Sequence, residues 1–134
     1  MKTTAHKAFY FISLATGLLL LFIGLRFLLV PQQAEADFGI QTGPHISFAF
    51  HYIKGIRDFG VGLLTLVLLF SKEYRSLGWM MLCMGLVPCA DFLIVLKDPH
   101  HLTSHLYPHL TAILICFTAG PYYLFTTKKQ VYAL

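Results

Sequence analysis

Five ionisable residues, Arg26, Lys54, Arg57, Asp58 and Asp91, stand inside stretches of sequence that are otherwise apolar. A charge carried into a hydrocarbon layer costs about 2.5–3.5 kcal/mol on the insertion scale, so each such ion needs a partner or a purpose. Paired carboxylates in a dry site can give and take protons, which makes Asp91 and Asp58 the candidate catalytic acid and base. Arg26, Lys54 and Arg57 can hold an anion or polarise a carbonyl, and His51 and His109 join them as candidate ligand-binding residues. Three cations against two anions leave these five residues at +1, which points to an anionic or electron-rich ligand. The structural alternative is mutual neutralisation that locks helices together. Polar contacts between membrane helices contribute only about 0.6–2 kcal/mol each, modest against the insertion cost.

The histidines offer a second chemistry. His45, His51, His100, His101, His105 and His109 fall on one side of the expected topology, and only His6 on the other. His101, His105 and His109 repeat every four residues, a spacing that on a helix would align metal ligands. Pro108 interrupts that reading, because it disfavours a helical Tyr107 and fits better in a first turn. No H-e-x-x-H signature occurs, so no metal is expected, and the cofactor, if there is one, is unknown. Proton handling suits these side chains better, since histidine changes charge near neutral pH. Cys83, Cys89 and Cys116 lack C-x-x-C spacing and read as small hydrophobes.

The elements that must position these groups follow from composition. Of 134 residues, 57% are hydrophobic and 12% charged, with a mean hydropathy of +0.68. A soluble domain carries roughly 25% charged residues, and a chain this short cannot cover so much apolar surface with so little charge. A soluble enzyme, a disordered chain and a nucleic-acid-binding domain are all poor fits; the basic residues form no patch despite a net charge of +4. The partner is the lipid bilayer. Four apolar runs at about 8–30, 47–70, 79–97 and 107–125 each have the length needed to cross it. The expected fold is all-α, a single transmembrane domain over residues 1–134 built as a four-transmembrane-helix bundle.

Lys2, Lys7, Lys72, Arg75, Lys128 and Lys129 lie at one set of helix ends, while Glu35, Asp37 and Asp98 offset Lys97 at the other. Both termini are therefore expected to be cytoplasmic, with loops 31–46 and 98–106 outside. A cleaved signal peptide ending near Ala34-Glu35-Ala36 is the competing reading of the first run. That run is too long for a 7–15-residue signal core and Arg26 interrupts it.

The ions share a depth. At 1.5 Å per residue, Arg26 stands about 6 Å and Asp91 about 9 Å from the outer end, and Lys54, Arg57 and Asp58 roughly 5–15 Å from it. On the second helix His51, Lys54, Asp58 and Thr65 form one stripe with Gly55 and Gly62, whereas Phe59, Leu63, Leu66 and Phe70 read as a lipid-facing side. Pro88 is expected to bend the third helix ahead of Asp91. Ala112, Cys116 and Gly120 form a small-residue seam on the fourth. Pro31 to Asp37 fits a short interfacial helix, in a loop that is either a lid over the pocket mouth or a simple connector.

At Gly24-Leu-Arg26, Pro31, Phe38-Gly39 and Gly55-Ile-Arg57-Asp58-Phe-Gly60-Val-Gly62 the chain resembles an uncharacterised family of small four-helix integral membrane proteins of bacteria and fungi. That family is a domain of unknown function, similar to DoxX-like proteins. The G-x-R-D-x-x-x-G segment carries most of the resemblance, and Asp91 matches a polar position of the third helix. The resemblance implies the four-helix membrane fold and a multi-pass protein of the bacterial inner membrane. It implies no activity, and the fourth helix and its histidines fall outside it.

The expected function is a polar, slightly cationic pocket in the outer leaflet that binds a small lipophilic anionic or carbonyl compound and transforms it by acid/base chemistry. A small transporter or proton-coupled carrier is the first alternative; its apolar inner half would need a homo-oligomer to supply a polar route. An accessory or assembly subunit of a larger membrane complex is the second. The residues alone leave open whether the protein is an enzyme.

Overall fold

The computed structural model describes residues 2–40, 43 and 47–127. It is helical throughout, with no strand among the described residues: α1 (Lys2–Leu29), α2 (Pro31–Phe38), α3 (Ala49–Phe70), α4 (Tyr74–Met84), α5 (Leu86–Lys97) and α6 (Thr103–Thr126). His45, Lys128 and Lys129 lie outside the described residues.

The helix ends follow local chemistry. Pro31 opens α2 at a position where its missing N–H is not needed. Gly39 closes α2 at φ 97°, with its own N–H and that of Ile40 returned to Ala36 and Glu35. A side chain there would also strike His105, whose Cβ lies 2.6 Å from the position of an added Cβ. The run expected as one helix at 79–97 is divided into α4 and α5 at Gly85. Pro88 supplies the reason, since it has no N–H for the Met84 carbonyl and its ring presses on that turn. The fourth helix starts at Thr103, earlier than Pro108 suggested, so Pro108 is an interior residue of α6.

Two antiparallel hairpins result. In the first, α1 crosses α3 on paired glycines, Gly17 against Gly62 and Gly24 against Gly55. A Cβ on Gly24 would stand 2.5 Å from Phe59 N and 2.7 Å from Gly55 O, so backbone meets backbone there. The Leu66 side chain packs on Gly17 and the Phe59 backbone on Gly24, so both positions lie on the α1 side of α3 and not on the lipid side expected. Their spacing explains the correction: residues 55, 59, 62 and 66 form one helical stripe. In the second hairpin α6 crosses α4 and α5, with Gly78 on Gly120 and Gly85 on Cys116, the seam expected from α6.

The hairpins join through an apolar cluster of Leu69, Leu77, Met81, Ala119 and Tyr123, flanked by Phe9, Tyr10, Tyr74 and Tyr122. Among the described residues, three helices are long and apolar enough to cross a membrane: Thr4–Leu29, the α4–α5 run Tyr74–Lys97, and Thr103–Thr126. The shorter α3 carries Lys54, Arg57 and Asp58 in its first half, which sets it apart from those three. Its outward side, with Ile53, Ile56, Leu63, Val67 and Phe70, is as apolar as theirs.

Candidate functional site

Lys54 is the hub of the other end. One turn along α3, Asp58 Oδ2 accepts from Lys54 Nζ at 2.8 Å, the i, i+4 geometry in which helical side chains meet. Asp91, from α5, stands 3.8 Å from the same nitrogen. This contact carries an ion of one hairpin to an ion of the other. Phe38 and Phe27 cover the ammonium, with ring centres 4.5 and 5.0 Å away.

Arg57 binds its neighbour Asp58, Nε and Nη2 both reaching Oδ1 at 3.0 Å, and its side chain remains 43% exposed. Asp58 therefore answers two cations while only 9% exposed. Burial suits it, because an unpaired carboxylate at this depth would keep its full desolvation penalty.

Arg26 is placed apart from this centre. Its guanidinium pairs with Asp37 of α2 at 2.6 Å and lies over Phe22. His51 Nε2–H donates to Glu35 Oε2 at 2.8 Å, joining α3 to α2. His109 Nε2–H donates to the Phe38 carbonyl at 3.4 Å, and its ring meets Phe38 edge-on at 4.6 Å, joining α6 to α2. Thr65, on the expected polar stripe, returns its hydroxyl to Val61 O on its own helix.

The remaining histidines do not converge. His100 N–H donates to Asp98 Oδ1 and His101 Nδ1–H to Asp98 O, both within the α5–α6 turn. His105 Nδ1 accepts from Leu102 N–H at the start of α6. Among the described residues, no three His, Cys, Asp or Glu side chains are grouped to hold a metal ion.

Four residues of this end were not expected at the site from the sequence: Glu35, Asp37, Phe27 and Phe38. Glu35 and Phe38 are three apart on α2, and that spacing was the available signal. Their charges alter the balance. Asp37 answers Arg26, Asp58 and Asp91 answer Lys54 and Arg57, and Glu35 pairs with His51, so the cationic surplus expected from five ions is offset. A shallow, open depression at this end, lined by Val30, Pro31, Gln32, Gln33, Ala36 and Phe48, lies beside α2 and does not take in the ions.

No curated protein and no solved structure matches the chain. The family model described as Domain of unknown function (DUF4267) matches residues 17–123, from the first seam glycine to the buried Tyr123, and the protein therefore belongs to that family.

Proposed function

We propose that the protein is a four-span membrane protein, α3 being the fourth span, with both termini cytoplasmic and the ionic end in the outer leaflet. The bacterial inner membrane and a kinship with DoxX-like proteins belong to the same proposal. Its ionic end is a binding site for a small lipophilic compound, with Asp91 and Asp58 as the groups that exchange protons with it. Arg57 and Lys54 orient the compound, His51 and His109 hold α2 across it, and Arg26 fixes the far side of α2 through Asp37.

The observation that carries this reading is the Lys54–Asp91 contact. At 3.8 Å it is beyond hydrogen-bond length, both side chains are 19% exposed, and it lies where the two hairpins meet. The other ion pairs of this end are closer, at 2.6 to 3.0 Å. A ligand group can enter between Lys54 and Asp91 while Lys54 keeps Asp58, and Asp91 then takes the ligand as its partner. With the cationic surplus offset, an anion is less favoured than a neutral carbonyl compound or a cation.

The test is extraction of small lipophilic compounds from protein purified out of its own membrane, with chromatography and mass spectrometry. A compound enriched with the wild type and absent from Asp91→Asn and Arg57→Gln supports the site. Identical extracts from all three overturn it.

A second reading, an assembly subunit whose ions only fix packing, is favoured by the close Arg26–Asp37, Lys54–Asp58 and Arg57–Asp58 pairs. It predicts a larger membrane partner that co-purifies and no bound compound.

A further inference from the structure

The Lys54 ammonium sits in a box to which four elements contribute. Phe27 of α1 and Phe38 of α2 lie 5.0 and 4.5 Å from Nζ. Asp58 of α3 accepts from it at 2.8 Å, and Asp91 of α5 stands 3.8 Å away. Aromatic faces within about 6 Å attract a cation through the ring quadrupole, and low local dielectric strengthens its attraction to carboxylates. Two rings and two carboxylates are recognition chemistry for an organic ammonium.

Two features distinguish this box from a closed ion pair. Asp91 is beyond hydrogen-bond distance of Lys54, and among the described residues no hydrogen bond to Asp91 is found. Lys54 reaches the box on a flexible four-carbon stem and already has Asp58 on its own helix. If Asp91 took another cation, the lysine would keep its own carboxylate.

We propose that the box is a binding site for alkylammonium ligands, with the Lys54 head group as its tethered occupant. A lipophilic amine enters by its charged end and pairs with Asp91 beneath the Phe38 ring, while Lys54 stays with Asp58. The amine's hydrocarbon part follows the apolar outer side of the helices. This inference names the ligand class of the ionic end and rests on reading that end as a ligand site.

The test uses the full chain carrying Lys54→Ala, with methylammonium chloride as the probe and equal sodium chloride as the control. Thermal unfolding in detergent is the readout, since a ligand that binds only the folded state raises the midpoint. The midpoint of Lys54→Ala is expected to rise with methylammonium and level off, and that of the wild type to rise less and at higher concentration, since Lys54 occupies part of the box. Adding Asp91→Asn is expected to weaken the response about tenfold or more, the effect of losing a charged acceptor. If Lys54→Ala does not fold, Lys54→Met, which keeps most of the stem against the rings, takes its place under the same expectations.

A midpoint that follows methylammonium no more than sodium overturns the box, as does a response that Asp91→Asn leaves unchanged. The two readings fail separately. A carbonyl compound co-purifying with the wild type, beside a silent Lys54→Ala protein, removes the amine class and leaves the ligand site. A methylammonium response in a protein that retains no compound keeps the box and removes the evidence for a resident ligand.

Discussion

At one end of the bundle the two hairpins meet through rings, and at the other through ions. The ring end is packed by Leu69, Leu77 and Tyr123, all fully buried, with Tyr74 stacked on Tyr123 and Phe9 on Tyr122. Its buried Ser13 Oγ meets Tyr123 Oη at 3.0 Å, so the two hydroxyls satisfy each other. The ionic end has few apolar contacts between hairpins. It is bridged by α2, which gives Phe38 to Lys54 and His109, and Glu35 to His51. The hairpins are thus held by packed side chains at one end, while at the other the Lys54–Asp91 contact and α2 connect them. Ions kept within membrane helices are the groups most open to a functional reading.

Substitutions can break or sharpen that contrast, and the largest effect is expected at the ionic end. Asp58→Ala removes the acceptor of both Lys54 and Arg57. It should destabilise the fold by about 3 kcal/mol, the low end for breaking a buried pair, because Lys54 keeps Asp91 and the 43% exposed Arg57 can turn to solvent. Thermal unfolding in detergent micelles measures this, and a loss below that of any ring-end variant would erase the contrast.

Next come the glycine seams, which both ends share. Gly24→Ala forces a Cβ onto the Phe59 and Gly55 backbone and should cost about 1–3 kcal/mol. Gly60→Ala, where an added Cβ has nothing within 4 Å, should be neutral or stabilising by up to about 1 kcal/mol of helix propensity. Equal effects of the two would place the α1–α3 crossing elsewhere.

At the ring end Tyr123→Phe keeps the ring and loses only the Ser13 bond. A loss of about 0.6 kcal/mol and at most about 1.7 is expected, the mean and the maximum measured for hydrogen bonds between membrane helices. Smallest of all is Arg26→Gln. Its partner Asp37 is 56% exposed, so the pair should contribute about 0–1 kcal/mol. A loss as large as that of Asp58→Ala would mean that Arg26 belongs to the ionic centre after all.

Much of this arrangement is legible in the amino-acid sequence, and the exceptions have physical causes. Long apolar runs make the helices readable, and Pro31 and Pro88 mark where α2 begins and where α4 gives way to α5. Rise per residue is enough to bring Lys54, Asp58 and Asp91 to one depth, where the structure joins them. Azimuth is harder to read. Arg26 shares that depth but turns to Asp37, and Phe59 and Leu66 lie on the glycine stripe instead of facing lipid. In a uniformly apolar helix the pattern of hydrophobicity does not say which side is inward, and small residues are the better guide. Glu35 is obscured for another reason: an eight-residue helix offers about two turns of periodicity, too few to separate its faces. Phe27 and Phe38 become informative only once the Lys54 ammonium is seen between them.

Native mass spectrometry of wild type, Asp91→Asn and Tyr123→Phe, released gently from their own membrane, tests most directly the claim that one end binds and the other clamps. The expected spectra show a small-molecule adduct on the wild type and on Tyr123→Phe, and none on Asp91→Asn. A bare wild type, or an adduct that survives Asp91→Asn and disappears in Tyr123→Phe, would contradict the assignment of the two ends.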